Sequence, residues 1–280
     1  MNSSSIASSV REALLSRFLR YVQIDTESDP TSTTYPSTEK QLDLLRLLRD
    51  ELIEMGVPEV RLLEKGYVMA QIPATPGYED RPALGLIAHA DTSPDFTGRG
   101  VRPQIIEDYD GSPIALGDTA ELTAREFPEL MELLGHTLIT TDGSTLLGAD
   151  DKAGVAEIME TVRYILAHPE LPHGKICIGF TPDEEIGKGV DFFDVKAFGA
   201  DFAFTVDGSR EGELEYENFN AASARVIAHG RSIHSGSAKG KMINALEAIY
   251  LLHAALPHYA RPEFTEGYEG FYHLMHFSGG

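Results

Sequence analysis

Cysteine is nearly absent from this chain of 280 residues, which contains only Cys177. A single cysteine excludes an intrachain disulfide, and this fits a reducing compartment. Because Cys177 lies inside an apolar run, we expect a buried structural thiol rather than a nucleophile. The chain also lacks an apolar run of about 18 residues, the length that a membrane helix needs. Its polar first residues, Met1 to Ser5, lack the apolar core of an export signal, so the sequence predicts a cytoplasmic location.

Basic residues are also scarce. Lysine and arginine together number 23 against 44 aspartates and glutamates, which gives a formal net charge of −21 at pH 7. Binding to nucleic acid or to an anionic membrane needs a basic patch, and this charge balance argues against both. Most of the excess acid is the ordinary charge of a solvated surface. We therefore expect neither nucleic acid nor membrane among the partners of this protein.

Hydrophobic spacing divides the first part of the chain into alternating helices and strands. Helical spacing covers 10–22, a segment from Thr38 to Gly56, and a segment after residue 154. Gln41 completes a predicted capping box with Thr38. Short apolar runs predict strands at 59–63, 67–73, 83–88, 175–181 and 202–206. This alternation is typical of an α/β fold with a mainly parallel sheet, interrupted by a long insertion over 92–146.

The character of the chain changes after Asp207. Residues 209–217 are rich in glycine and glutamate, a strand is predicted at 221–229, and a helix is predicted at 242–256. We therefore expect two domains, a large α/β domain over 1–215 and a smaller, incomplete α+β domain over 216–280.

Acidic residues and one histidine follow four apolar runs. In chain order they are His89 and Asp91, Asp150 and Asp151, Glu184 and Glu185, and Asp207. The carboxyl ends of the strands form the functional edge of an open α/β sheet. His89 and Asp91 are two apart and face the same way on a strand, so one can bind metal while the other orients it. Zinc accepts imidazole and carboxylate ligands, and two metals sharing a carboxylate would suit amide hydrolysis.

Each of these positions also has an ordinary explanation. Either Asp150 or Asp151 could cap the following helix while the other points at a metal, and spacing does not choose between them. Glu184 and Glu185 could form an exposed acidic turn, or one could bind metal while the other acts as a general base. A calcium or magnesium site is disfavoured by His89, because hard cations prefer oxygen ligands. Four similar strand ends together favour a metal site.

Longer stretches around these residues carry a resemblance. In chain order they are His89-Ala90-Asp91-Thr92-Ser93-Pro94-Asp95, Gly148 to Gly154, Thr181-Pro182-Asp183-Glu184-Glu185, Thr205-Val206-Asp207-Gly208, Glu217 to Ala222, and Gly267 to Leu274. They resemble the co-catalytic zinc metallopeptidases, and among these the peptidase T family of tripeptide aminopeptidases. The resemblance implies a zinc-exopeptidase catalytic domain over 1–215 and part of a lid or dimerisation domain over 216–280.

The resemblance also implies a set of metal ligands. His89 and Asp207 are implied to bind one zinc ion, Asp150 to bridge two zinc ions, and Glu185 to bind the second. Members of the family continue well beyond this chain, and the missing part is expected to supply a further histidine ligand and the rest of the lid. The chain therefore resembles a truncated gene product or part of a longer enzyme, and if these 280 residues were the whole protein we would expect weak or absent activity and at most one well-held metal.

Three further roles follow from the same resemblance. Glu184 is implied to be the general base, and Asp91 is implied to orient His89. His234, in the second domain, is implied to contact substrate and to support the oxyanion. Its segment reads His234-Ser235-Gly236-Ser237, where the family commonly has proline and threonine at the second and fourth places.

The function predicted from the sequence is a metal-dependent aminopeptidase that releases the N-terminal residue from short peptides, with tripeptides as the expected substrates and a homodimer as the expected assembly. One alternative within the same superfamily is a deacylase or carboxypeptidase acting on N-acyl amino acids. Another, of a different class, is an inactive fragment that binds peptide or a partner protein. Activity on free and acylated N-termini separates the first two, and binding without turnover identifies the third.

Overall fold

A computed structural model describes residues 3–118, 120–208, 210 and 212–279. The chain forms two compact units, Met1–Glu213 and Leu214–Gly280. The boundary predicted between residues 215 and 216 lies near this division. The roles of the two parts stay predictions.

In the described part of the first unit, two helices come first, seven short strands follow, and helices and strands alternate only after these. The helices of the described residues are α1 (Ser3–Tyr21), α2 (Gln41–Glu54), α3 (Ala149–Ala167), α4 (Val195–Phe198) and α5 (Ala245–Ala255). The strands are β1 (Glu59–Leu62), β2 (Val68–Ile72), β3 (Leu84–His89), β4 (Gln104–Ile106), β5 (Ile114–Leu116), β6 (Ala120–Leu122), β7 (Leu138–Thr140), β8 (Ile176–Thr181) and β9 (Phe202–Thr205). The five strands predicted from apolar runs are all present, whereas α1 begins earlier than the predicted residue 10.

One mixed sheet organises the first unit, with strand order β1-β2-β8-β3-β9. β3 pairs in parallel with both β8 and β9, while β2 pairs antiparallel with β1 and with β8. The α/β class is confirmed, and the expected parallel arrangement holds for β3, β8 and β9. The antiparallel direction of β1 and β2 follows from the short turn between them, which a parallel crossover could not use.

Helices α1, α2 and α3 bury their apolar faces against this sheet and one another. α1 packs against α3, α3 packs against β3, and α2 packs against β1 and β2. Fully buried side chains of α2 and α3 in this core are Leu44, Leu45, Leu48, Leu52, Val155, Met159 and Val162. Cys177 lies in a smaller apolar cluster on β8 and is a buried free thiol, as predicted.

The insertion predicted over 92–146 contains two small antiparallel pairs, β4 with β7 and β5 with β6. A 3₁₀ helix, Pro128–Leu133, lies between β6 and β7. The insertion begins after β3 and ends at the start of α3.

The second unit has little regular structure. Its helix α5 lies within the predicted range 242–256 and is capped by the side chain of Asn244, which accepts the N–H of Leu246. The strand predicted at 221–229 is wrong, because the described residues there form no strand; a single bridge joins Arg231 to Ile243 instead. Within the part of the chain that the structure describes, no helix combines the length and apolar character required to cross a membrane.

Candidate metal centre

Three neighbouring strands end at one edge of the main sheet. β3 runs parallel to β8, with His89 opposite Thr181, and parallel to β9, with Ile87 opposite Thr205. The chain therefore leaves all three strands on the same side. This register places His89, the segment after Thr181 and the segment after Thr205 together, as the strand-end argument predicts for three of its four apolar runs. The fourth run, which precedes Asp150, is not a strand and leads directly into α3.

The imidazole of His89 is the centre of the candidate site and is almost completely buried. Its Nδ1 lies 3.0 Å from the main-chain oxygen of Asp91, and its Nε2 lies 2.8 Å from Oδ1 of Asp150. The same Nε2 lies 3.7 Å from a carboxylate oxygen of Asp207 and 3.8 Å from one of Glu184. With Nδ1–H donating to the Asp91 carbonyl, Nε2 is the ring nitrogen that faces these carboxylates: protonated, it donates to Asp150, and deprotonated, its lone pair is available to a metal.

Asp91 is fully buried and holds the main chain of both glutamates. Its Oδ1 accepts the N–H of Glu184 at 2.9 Å, and its Oδ2 accepts the N–H of Glu185 at 3.2 Å. Its Oδ1 also lies 3.4 Å from Nδ1 of His89. The residue predicted to orient His89 therefore also links β3 to the segment after β8, a contact that chain spacing does not reveal.

The two aspartates at the start of α3 have different surroundings. Asp151 is buried, with Oδ2 accepting the N–H of His89 at 3.1 Å and Oδ1 accepting the N–H of Gly154 at 3.2 Å. The Asp150 side chain is 71% exposed and directs its carboxylate at His89. The peptide bond between them is cis, and regular helical backbone begins after Asp151. Asp151 thus caps the helix, while Asp150 faces the cluster.

Gly154 allows α3 to approach the end of β9 closely. A Cβ at this position would overlap the main-chain oxygen of Val206 and the carboxylate of Asp151. Because only glycine lacks a Cβ, Gly154 allows the start of α3 to lie against Val206, the residue before Asp207.

Among the residues that the structure describes, two overlapping groups of side chains could hold a metal ion. They are His89 with Asp151 and Asp207, and His89 with Asp150 and Glu185; within each group the ligand atoms lie within 4.8 Å of one another. This mixture of imidazole and carboxylate suits zinc. Asp150 is a better ligand than Asp151, because both oxygens of Asp151 already accept main-chain hydrogen bonds. The residues present therefore fit a divalent metal, although ligation by each of them stays a prediction.

Close packing of acidic groups around His89 shifts several pKa values. Burial acts to lower the pKa of His89, but hydrogen bonds to Asp150 and Asp91 outweigh burial and raise the pKa to about 11. Burial raises the pKa of Asp151 to about 8. Burial, together with repulsion from Asp150, raises the pKa of Glu185 to about 7. The cluster therefore holds protons at neutral pH that a divalent cation would displace.

The side chain of Glu184 is 54% exposed, whereas Asp91, which accepts the main-chain N–H of Glu184, is fully buried. Partial burial is the main cause that raises its pKa, with the positive charge of His89 opposing the shift. A carboxylate with these properties can exchange protons with water beside the candidate metal ligands. This geometry is compatible with the predicted role of general base.

Sequence reasoning missed the surroundings of Asp183. The capping box predicted for α2 is wrong: Lys40 is the N-cap and makes no side-chain capping bond, and Thr38 donates to the carbonyl of Glu27. The Gln41 side-chain amide lies within hydrogen-bond distance of the Thr38 hydroxyl, but its shortest bond is to the Asp183 carboxylate, and its oxygen accepts the N–H of Asp183. A buried glutamine at a helix start was the available signal, but its partner is distant in the chain.

His234 lies in the second unit with an exposed side chain. Its Nδ1 accepts the N–H of Gly236 at 3.2 Å. The contact with substrate implied by the resemblance stays a prediction.

Comparisons with known proteins cover most of the chain. Residues 216–277 match a family model described as a peptidase dimerisation domain. Proteins named Peptidase T from Clostridium acetobutylicum and Staphylococcus aureus are 56% and 55% identical to the chain over 270 and 271 residues. Each match covers 96% of this chain and 66% of the relative. The chain thus spans about two thirds of the length of the curated relatives it matches.

Solved structures show a related fold. The crystal structure of a tripeptidase from Staphylococcus aureus matches with a TM-score of 0.50 and 26% identity, over 71% of this chain and 44% of that one. An aminopeptidase PepT from Bacillus cereus matches with a TM-score of 0.54 and 23% identity, over 88% of this chain and 57% of that one. With a shared fold and more than half of its aligned residues identical to curated relatives, this chain belongs to the peptidase T family.

Proposed function

We propose that this chain is the metal-binding part of an aminopeptidase that releases the N-terminal residue from short peptides, with tripeptides as the main substrates. The observation that carries the proposal is the position of His89 Nε2 among the carboxylates of Asp150, Asp207 and Glu184 at one edge of the sheet. Relatives named Peptidase T support the same reaction.

Four residues hold the metal in this proposal. His89 and Asp207 would hold one zinc ion, Glu185 would hold a second, and Asp150 would serve as a ligand to both. The mixed donor set supports a divalent cation; its identity as zinc and the number of two ions are the finer parts of the proposal. A bound cation would supply Lewis-acid polarisation of the peptide carbonyl and would make water easier to deprotonate.

Glu184 moves the proton in the proposed reaction. Its carboxylate takes a proton from water, the water oxygen bonds to the peptide carbonyl carbon, and the C–N bond breaks. Glu184 then gives its proton to the leaving amine nitrogen, which restores the carboxylate. Asp91 acts through others: it orients His89 and holds the amides of Glu184 and Glu185.

The second unit contributes substrate contacts and assembly in this proposal. His234 contacts the peptide and stabilises the negative charge that develops on the carbonyl oxygen. Residues 216–277 join two copies of the protein, as the dimerisation family model suggests. A cytoplasmic location is part of the proposal and is supported by the single, buried free thiol.

A second candidate function is peptide binding without hydrolysis. It would use the same cluster of His89 and carboxylates to hold a metal and a peptide, without proton transfer by Glu184.

The first test is the metal content of the purified protein, measured by elemental analysis after gel filtration. We expect tightly bound zinc in the unaltered protein and in Asp95→Asn, an exposed aspartate of the same motif that belongs to neither ligand group. His89→Ala should lose the metal. If the unaltered protein retains neither zinc nor added cobalt, the metallopeptidase proposal fails.

The second test is hydrolysis of tripeptides with free and with acetylated N-termini. We expect cleavage of the free peptide only, and loss of about 10²-fold or more of the rate in Glu184→Gln with metal content unchanged. Preference for the acetylated peptide would instead assign the chain to the deacylases. Binding of the free peptide without cleavage, with metal in place, would support the peptide-binding function.

A further inference from the structure

Asp183 is a fully buried carboxylate next to the two glutamates of the site. Its backbone has a φ of 58°, in the left-handed region that non-glycine residues seldom adopt. Asp183 belongs to neither group of candidate metal ligands. A buried carboxylate in an unusual backbone conformation requires specific partners, and those partners come from the first residue of α2 and from the segment just before it.

Ser37 and Gln41 surround the Asp183 carboxylate with donors. The N–H of Ser37 donates to Oδ2 at 2.7 Å, and the Gln41 side-chain amide donates to Oδ1 at 2.7 Å. The Ser37 hydroxyl also donates to Oδ1. In return, Oε1 of Gln41 accepts the main-chain N–H of Asp183 at 3.1 Å. Gln41 and Asp183 are therefore joined by two hydrogen bonds of opposite direction.

The segment after Asp183 is fastened at a second point. The N–H of Lys188 donates to the Asp183 carbonyl at 2.9 Å, and the N–H of Gly187 donates to the Glu184 carbonyl at 2.7 Å. Asp91 accepts the amides of Glu184 and Glu185 from the other side. The main chain that carries both glutamates is thus held from β3 by Asp91 and from α2 by the Gln41–Asp183 pair.

We propose that Asp183 and Gln41 are positioning residues that fix the direction of Glu184 and Glu185 toward His89. This inference rests on the proposed metal site and deepens it. The side chains of the pair contact the main chain and each other, so they act through the glutamates and not on the reacting atoms. Their effect is to reduce the freedom of two carboxylates that must converge on one cation.

The consequence of the proposal is a measurable effect on metal affinity. Partners that orient metal ligands typically change metal affinity by about 10- to 100-fold when they are lost. Asp183→Asn is the informative variant, because asparagine tolerates positive φ but places an N–H₂ group opposite either Ser37 N–H or the Gln41 amide. We expect Asp183→Asn to weaken zinc binding about 10-fold at a temperature where the protein stays folded.

An exchange of partners provides the matched rescue. In the double variant Asp183→Asn with Gln41→Glu, the new amide donates to the new carboxylate, and the introduced glutamate still accepts the main-chain N–H of residue 183. The number of charges in the pair is unchanged. We expect Gln41→Glu alone to weaken zinc binding, because two carboxylates then face each other, and the double variant to regain affinity within about twofold of the unaltered protein.

The experiment is a zinc titration with a competing chelator, together with thermal unfolding of each metal-free variant. Ile72→Ala is the control. Ile72 is a core residue paired with Ile176, at the end of the sheet away from the candidate metal centre, so its truncation should lower stability without changing zinc affinity. Zinc affinity unchanged in Asp183→Asn, or lowered equally in Ile72→Ala, would overturn the inference. Failure of the double variant to recover would do so too. Absence of zinc binding in the unaltered protein would instead count against the proposed function.

Discussion

His89 Nε2 lies 2.8 Å from Oδ1 of Asp150, and this hydrogen bond is a main reason why the pKa of the imidazole is raised to about 11. The same nitrogen atom is the one available to a metal, because Nδ1 faces the carbonyl of Asp91. Nε2 of His89 and Oδ1 of Asp150 are therefore both occupied by this hydrogen bond, and a metal that binds them must replace it.

Metal uptake should release protons at neutral pH. At pH 7 the metal-free imidazole, with a pKa raised to about 11, carries a proton that a cation must displace. The apparent zinc affinity should therefore rise as the pH increases from about 6 to about 8. Calorimetric titration in buffers of different ionisation enthalpy measures the proton count. Asp150→Asn, which replaces the charged acceptor of this hydrogen bond with a neutral amide oxygen, should lower the His89 pKa and release fewer protons. An enthalpy independent of buffer would contradict the prediction.

The two adjacent aspartates should have separable effects. Asp151→Ala leaves the N–H groups of His89 and Gly154 without their acceptor and should cost about 2 kcal/mol of unfolding free energy. Asp150→Ala removes an exposed carboxylate and should reduce metal binding with little loss of stability. Chemical denaturation without metal, followed by zinc titration, checks both. Equal stability losses in the two variants would show that the assignment is wrong.

Gly154→Ala should be strongly destabilising. Its Cβ would overlap the carbonyl oxygen of Val206, which is main chain and cannot rotate away, so α3 or β9 must shift. We expect a cost of about 3 kcal/mol, the upper part of the range for overpacked positions. Gly208→Ala is the matched control, because a Cβ there meets no atom within 4 Å. Thermal unfolding of the two variants should differ clearly, and similar midpoints would refute the packing argument.

Glu51 should be important for stability although it lies away from the metal cluster. Its buried carboxylate accepts the Tyr21 hydroxyl at 2.7 Å and pairs with Arg17 and Arg20 from α1. Removing Glu51 leaves the largely buried Arg17 with a longer contact of 3.8 Å to Glu160 in its place, so Glu51→Ala should cost about 3 kcal/mol. Asp50→Ala, which breaks an exposed pair with Arg49, should cost less than about 0.5 kcal/mol. Denaturant unfolding measures both costs, and a small loss in Glu51→Ala would contradict this account.

Local pattern was sufficient to predict the strands that carry the candidate site. The runs ending near His89 and Thr181 are short and apolar on both faces, which is typical of central strands, whereas the similar run ending at Thr205 forms the exposed edge strand β9. Their ends could be identified because the residue type changes abruptly there. The strand predicted at 221–229 has a similar local pattern, but the described residues form no ladder, since a strand requires a hydrogen-bonding neighbour that local pattern does not specify.

Contacts at the site were less predictable than its residues. The spacing of Asp91 suggested a partner for His89, but both of its carboxylate oxygens also accept amides 93 and 94 residues away. Gln41 fitted a local capping box with Thr38, and its side chain instead reaches Asp183, 142 residues away. Such partners depend on which elements pack side by side.

By itself, the sequence determined the α/β class, the places where strands end, and the histidine and carboxylates that follow them, because periodicity and residue type are local properties. Only the tertiary structure decided that Asp150 faces His89 while Asp151 caps α3, and that α2 supplies partners for Asp183. The physical reason is that a buried carboxylate takes its hydrogen-bond donors from whatever main chain the packed core brings beside it. That neighbourhood is set by burial of the whole apolar core rather than by any one segment.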